Sequence, residues 1–255
     1  MARVEFSEWI VESLRVTIFP TVESTFRSSD WWEYVTGVEP DQVSTSAKKT
    51  ASTVEGTYEG RKLIMRSVPD RIDWFLLPVD SVIEEAMINS EVPSVGRAGE
   101  AFELFSTAVE KWFASADLPT MHRIAFGAVL SLPIGDRRSA YIELRDYIPV
   151  EIDPDSTDIL YQINIPTKSA SVAGLKLNRL SRWLVTQHTF VTVPVGVAGG
   201  TPITQGPTPA AMKLELDINT LPAFEQTIPK ESLAGLYREL VDAGRDIASN
   251  GVIKK

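Results

Sequence analysis

The stretch RIAFGAVLSLPI, residues 123–134, carries apolar side chains on both faces of an extended chain. A strand that borders water on one face alternates apolar and polar residues. One that is apolar on both faces is enclosed. Residues 123–134 are therefore read as a buried strand near the middle of a sheet, and the rest of the chain supplies its neighbours. SLRVTIFP (13–20) alternates, with Leu14, Val16 and Ile18 on one side. Three further runs are strand-like: 44–58, RKLIMRSV (61–68) and RIDWFLLP (71–78). Gly60 and the pair Pro69-Asp70 mark the turns between them.

Helical patterns separate and follow these strands. In DWWEYVTG (30–37), Asp30 stands three residues before Glu33, the spacing of a capping box, and Gly37 and Pro40 follow as stop signals. Neighbouring residues on a helix point about 100° apart. Trp31 and Trp32 are thus not expected to form one stacking platform; one is expected in the core and the other at an edge. A short helix is expected over 79–92. RAGEAFELFSTAVEKWFAS (97–115) has its apolar stripe at Ala101, Phe105, Ala108 and Trp112.

The order then recurs. After the strand at 123–134 comes a helix at 136–148 opened by Asp136, a strand at 157–166, and a long strand or hairpin at 177–194. A Gly/Pro/Thr-rich loop is expected at 196–210, a strand at 211–219, and a terminal helix at 229–249. Each half reads strand, helix, about three strands, long helix. The expected fold is α+β: a mainly antiparallel sheet with helices on one face. It would be pseudo-duplicated as β-α-β-β-β-α halves at 1–118 and 119–255, within one continuous domain. Such a sheet would resemble the saddle of the TATA-binding protein or a pair of helix-grip units, a likeness of fold only.

Composition excludes more than it selects. The chain holds 34 acidic and 25 basic residues, net −9, with two histidines and no cysteine. Disulfides, thiolate nucleophiles and cysteine-bound zinc are excluded. No run of about 18 apolar residues appears, so no membrane span is expected. No secretory signal is read at the N-terminus, and a cytoplasmic location is expected. Neither a phosphate-loop motif nor a nucleophile elbow is present. The acidic balance favours solubility, basic protein partners or no partner, and counts against nucleic acid. Nucleic-acid binding would need Arg137, Arg138, Lys176, Arg179 and Arg182 to cluster. No cofactor is expected.

The phrases LRVTIFP, WWEYVTG, DRIDWFLLP and LELDINT, followed by a terminal helix, resemble a sporadically distributed family of uncharacterised bacterial proteins. The resemblance spans the chain. It implies an accessory role of the kind found in mobile or defence-related gene clusters, and it lends no catalytic residue.

Two sets of residues stand out as a candidate site. Asp73, between Arg71 and Phe75 on one strand face, and Asp217, in KLELDIN, would occupy equivalent positions if the halves are related. Trp183 shares a strand face with Arg179, and Trp and Arg are enriched at interface hot spots. The expected function is a non-catalytic interaction or adaptor subunit. It would bind a protein partner through the sheet face opposite the helices, at Arg71, Asp73, Arg179, Trp183 and Asp217. One alternative is a metal-assisted hydrolase, which needs Asp73 and Asp217 to converge within about 4–8 Å. Another is a sensor with an aromatic-lined cavity of several hundred Å3 between sheet and helix. The acidic turn EIDPDSTD (151–158) is read as solvated.

Overall fold

The structure, a computed structural model, describes residues 3–22, 28–46, 48, 51–89, 91–187, 191–192, 204–205, 209–224 and 226–252. Strand β1 (Ile10–Pro20) leads to helix α1 (Ser28–Thr36). The strands β2 (Gln42–Thr45), β3 (Ser52–Tyr58), β4 (Arg61–Val68) and β5 (Arg71–Leu77) follow. Then come α2 (Asp80–Asn89), the two-residue strand β6 (Gly96–Arg97) and α3 (Ala98–Phe113). The second half holds β7 (Met121–Ile134), α4 (Arg137–Leu144), β8 (Leu160–Asn164), β9 (Thr167–Lys168) and β10 (Lys176–Gln187). It ends with β11 (Val191–Thr192), β12 (Thr204–Gln205), β13 (Ala210–Thr220) and α5 (Leu233–Asn250).

All pairings in the main sheet are antiparallel. Its 11 strands run β2-β3-β4-β5-β1-β7-β13-β10-β8, with β6 on β1 and β9 on β10. The doubly apolar stretch 123–134 is β7, flanked by β1 and β13, as its pattern requires. Because β1 pairs with β7, the two halves share one sheet. Helices α1, α3, α4 and α5 pack on one face of it. On that face lie Leu14, Val16 and Ile18 of β1, and Met212, Leu214, Leu216 and Ile218 of β13, all buried. Burying an aliphatic side chain of this kind contributes about 1.5–3 kcal/mol.

Both tryptophans of α1 are core residues, which corrects the expectation that one sits at an edge. Trp31 is 4% exposed and Trp32 0%. The roughly 100° between them is used to reach two walls: Trp32 stacks on Trp74 of the sheet (6.1 Å, 13°), and Trp31 meets Trp112 of α3 edge-on (6.0 Å, 69°). The run read as one strand over 44–58 divides into the hairpin β2–β3, with Val43 opposite Val54. The strand read over 157–166 is shortened to β8. The expected loop at 196–210 and the end of the run at 177–194 lie largely outside the described residues.

Asp136 caps α4 as its sequence position implies, its side chain accepting from Ser139 N at 2.9 Å and from Ser139 Oγ at 2.7 Å. These bonds hold the carboxyl below its ordinary range, the Ser139 backbone bond first and the hydroxyl bond second. A lowered folded-state pKa stabilises above the unfolded value and is lost as pH falls through the folded one. Asp136→Ala should therefore lower the melting temperature slightly at neutral pH. The difference from wild type should vanish as melts are taken down into the acid range. A deficit that persists undiminished at low pH would mean that the ionised cap is not its source.

Candidate functional site

Strand alternation decides what the helix-free face of the sheet displays. Since Leu14, Val16 and Ile18 turn inward, Ser13, Arg15, Thr17 and Phe19 turn to the opposite face. Register then sets their neighbours. Thr17 lies between Asp73 of β5 and Ala125 of β7, and Arg15 between Phe75 and Gly127. Gly127 in turn opposes Asp217 of β13. The face is polar and charged, with small residues at the middle of β7.

Among the described residues, four ion pairs stand on it: Lys62–Glu55 (3.2 Å), Arg71–Asp73 (2.9 Å), Arg182–Glu215 (3.2 Å) and Lys213–Glu12 (2.8 Å). The three pairs with both members partly exposed, Lys62–Glu55, Arg182–Glu215 and Lys213–Glu12, contribute at most about 1 kcal/mol each, so they orient side chains more than they stabilise the fold. Asp73 is 1% exposed. It accepts a 2.6 Å hydrogen bond from Thr17 Oγ1 and holds the half-exposed Arg71 in place. A chain of amides crosses the second half of the face. Asn164 donates to Asn178 (3.0 Å), Asn178 to Asn219 (3.0 Å), and Asn219 to Asp217 (3.0 Å). Arg123 also donates to Asn219 (3.3 Å), and its guanidinium lies 4.7 Å above the centre of the Phe19 ring.

The side chains of Arg15 and Arg66 make neither a hydrogen bond nor an ion pair among the described residues. The Arg15 guanidinium lies across Gly127: a Cβ placed there would stand 3.6 Å from Arg15 Nε and 3.7 Å from its Nη2. The missing side chain at Gly127 thus gives the arginine a shallow seat at the centre of the sheet.

Of the residues expected at this face, Arg71, Asp73 and Asp217 are on it. Arg179 and Trp183 are not, which corrects their placement. Trp183 is 0% exposed and packs between Tyr147 (5.2 Å) and Trp9 (6.1 Å) under the helices. Burial pushes the Tyr147 phenol up to about 12, as expected of a ring enclosed in that cluster. The polar neighbours that made Trp183 read as exposed are satisfied on the covered side. Arg179 pairs with Asp246 of α5 at 2.6 Å, and Ser181 Oγ accepts from Trp183 Nε1 at 3.3 Å.

Asp73 and Asp217 are separated by β1 and β7, at least about 14 Å at 4.8 Å per strand, too far to bridge metal ions. Among the described residues no three His, Asp or Glu side chains are placed to hold a metal. In the acidic turn, Asp155 N donates to Asp153 (2.9 Å) and Arg138 pairs with Asp155 (2.5 Å). Arg179 faces the helices while Arg182 and Lys176 share the opposite strand face, and Arg137 and Arg138 open α4, so the five basic residues that nucleic-acid binding would need do not share one face. A cleft of about 470 Å3 opens beside the end of α5, lined by Arg3, Thr167, Arg179, Asp246 and Asn250; no aromatic ring lines it, as a sensor cavity would need.

Arg15, Arg66 and Arg123 were not singled out from sequence. Their signal was the alternation itself: in strands whose inward positions are apolar, each occupies an outward one. The chain matches no protein-family model and no curated protein.

Proposed function

We propose that the chain is a non-catalytic interaction subunit that presents the helix-free face of its sheet to a partner protein, in the accessory role that the sequence resemblance implies. The observation that carries this reading is that face: a broad antiparallel surface left clear by α1, α3, α4 and α5, with Arg15 seated on Gly127 at its centre. Arginine combines a planar, multi-donor head with weak hydration, which suits it to interfaces. Its side chain already lying on a glycine, Arg15 loses less freedom on binding than a fully solvated one.

The reading extends to the architecture. We propose two equivalent halves related by a two-fold axis between β1 and β7, in a saddle-like sheet. Outward from β1 the order is β5, β4, β3, β2; outward from β7 it is β13, β10, β8. In each half the chain starts centrally and its last long strand returns beside the first. An axis through the Val16/Phe126 pair would carry Thr17 onto Gly127 and Asp73 onto Asp217. Superposing the halves of an experimental structure by this operation tests it: α3 failing to fall on α5 would sink the duplication.

The interaction reading is tested by affinity co-purification from cells that make the protein, at low salt, with and without nuclease. A stoichiometric protein partner that survives nuclease, and that is lost when Arg15 is changed to Glu, is the expected result. A partner-free protein would overturn the reading.

A further inference from the structure

This inference rests on the interaction reading and names the class of partner. One transverse row of the open face differs from the rest. The β1–β5 register, continued past Ile18 and Ile72, sets Arg71 beside Phe19, and Phe19 opposes Arg123. Continuing across β13, Leu221 N donates to Lys176 O, and Lys176 opposes Lys168 of β9. Arg71, Arg123, Lys176 and Lys168 thus line one end of the face, with Arg66 and Arg15 in the rows behind. From β5 to β9 the band crosses five strand spacings, about 24 Å. Lys168 and Lys176 are exposed, and neither makes an ion pair among the described residues. Like charges directly opposed across two strands destabilise the sheet slightly. A chain of net charge −9 thus places a cationic band on the face that α1, α3, α4 and α5 leave clear.

We infer that this band docks an acidic, extended segment of the partner protein. Its carboxylates would pair with Arg123, Lys176 and Lys168 along the row. An extended segment presents every second side chain to one side, about 6.6 Å apart, and about eight residues span the band. A protein segment fits better than a nucleic acid strand. A phosphate chain carries charge at every unit and would be drawn past Asp73 and Asp217, against the field of an acidic chain. Arg123 already covers the Phe19 ring, which removes it as a stacking surface for a base.

The test uses a fluorescein-labelled peptide of alternating Glu and Thr, about twelve residues long, titrated with the full chain at about 50 mM salt. The Lys168→Glu/Lys176→Glu double variant and an oligothymidine of similar length are run alongside, with circular dichroism confirming that the variant is folded. The expected result is saturable binding of the peptide, weakened about tenfold or more by the double reversal and by about 300 mM salt, and weaker binding of the oligothymidine. Absence of peptide binding up to about 1 mM, an affinity unmoved by the reversal, or tighter binding of the oligothymidine would overturn the inference. The double variant is also passed through the co-purification. A native partner retained by it shows that the interaction reading stands while the docking band is wrong.

Discussion

Trp74→Ala should cost about 3–5 kcal/mol, the range for emptying a buried aromatic site, and lower the melting temperature by about 6–20 °C in a chain of this size. Trp74 is 2% exposed and sits where three elements meet. Its ring stacks on Trp32 of α1, meets Trp112 of α3 edge-on (5.7 Å, 61°), and belongs to β5, whose register sets it beside Val16 and Met65. Trp31 joins the group through Trp112. Removing the ring leaves two indoles, those of Trp32 and Trp112, facing a void that backbone-anchored neighbours cannot close. The indole N–H groups of Trp31, Trp32, Trp74 and Trp112 are buried without a hydrogen-bond partner. Ring shape, and no polar contact, holds the cluster. Trp74→Phe, which keeps a ring but drops the N–H, should therefore lose less than half as much as Trp74→Ala. Thermal melts of the two variants decide this: equal losses would mean that the cluster depends on the indole itself.

The same cluster shows where sequence reading stops. RKLIMRSV was legible as β4 at both ends, because alternation and two turn signals agree there, with Gly60 in a left-handed turn (φ 73°). The inward positions of β1, β5 and β13 were legible for the same reason. The fate of Trp31 was not. A helix on a bare sheet has one wet side, and only the later arrival of α3 gives α1 a second wall. The hairpin inside 44–58 was missed because its connecting residues contain neither Gly nor Pro. Trp183 was misplaced because Arg179 and Ser181 beside it are polar, and the group that neutralises Arg179, Asp246, is 67 residues away on α5. Parity says which residues share a face; it does not say which face the helices choose. The same limit hid the basic band. Its members come from four separate strands, and no local pattern joins Lys168 to Arg71 until the order β5-β1-β7-β13-β10 is known.

That order also separates the roles of the two faces. The covered face holds the aromatic clusters, so substitutions there should act through stability. On the open face, away from Asp73 and Thr17, they should act through binding with little change in melting temperature, because surface substitutions are usually worth within about 0.5 kcal/mol. Arg15 and Lys176 belong to the second group, Trp183 to the first.

Among the described residues of the second half, Gly251→Ala should be the most disruptive glycine substitution, at about 3 kcal/mol and about 6–12 °C in melting temperature. Gly251 closes α5 with φ 63°, its N–H bonded to Ile247 O at 2.8 Å, and the next residue donates to Tyr147 O at 2.8 Å. A Cβ at 251 would stand 2.2 Å from Tyr147 O and 2.6 Å from Tyr147 Cα. Those are backbone atoms with no rotamer to yield, so the end of α5 must lift or the turn after α4 must move. The cost is bounded by releasing the last helical turn, which keeps it below that of Trp74→Ala. Gly37→Ala separates the two contributions. Gly37 has φ 79° and open space around the missing Cβ, so it carries the conformational penalty alone, about 1 kcal/mol. The difference between the two melts measures the clash. Tyr147 lies between Trp9 and Trp183, so the Gly251 variant should also shift tryptophan emission while the Gly37 variant leaves it unchanged. Equal melting losses with unchanged emission would show that α5 does not close against Tyr147 in solution.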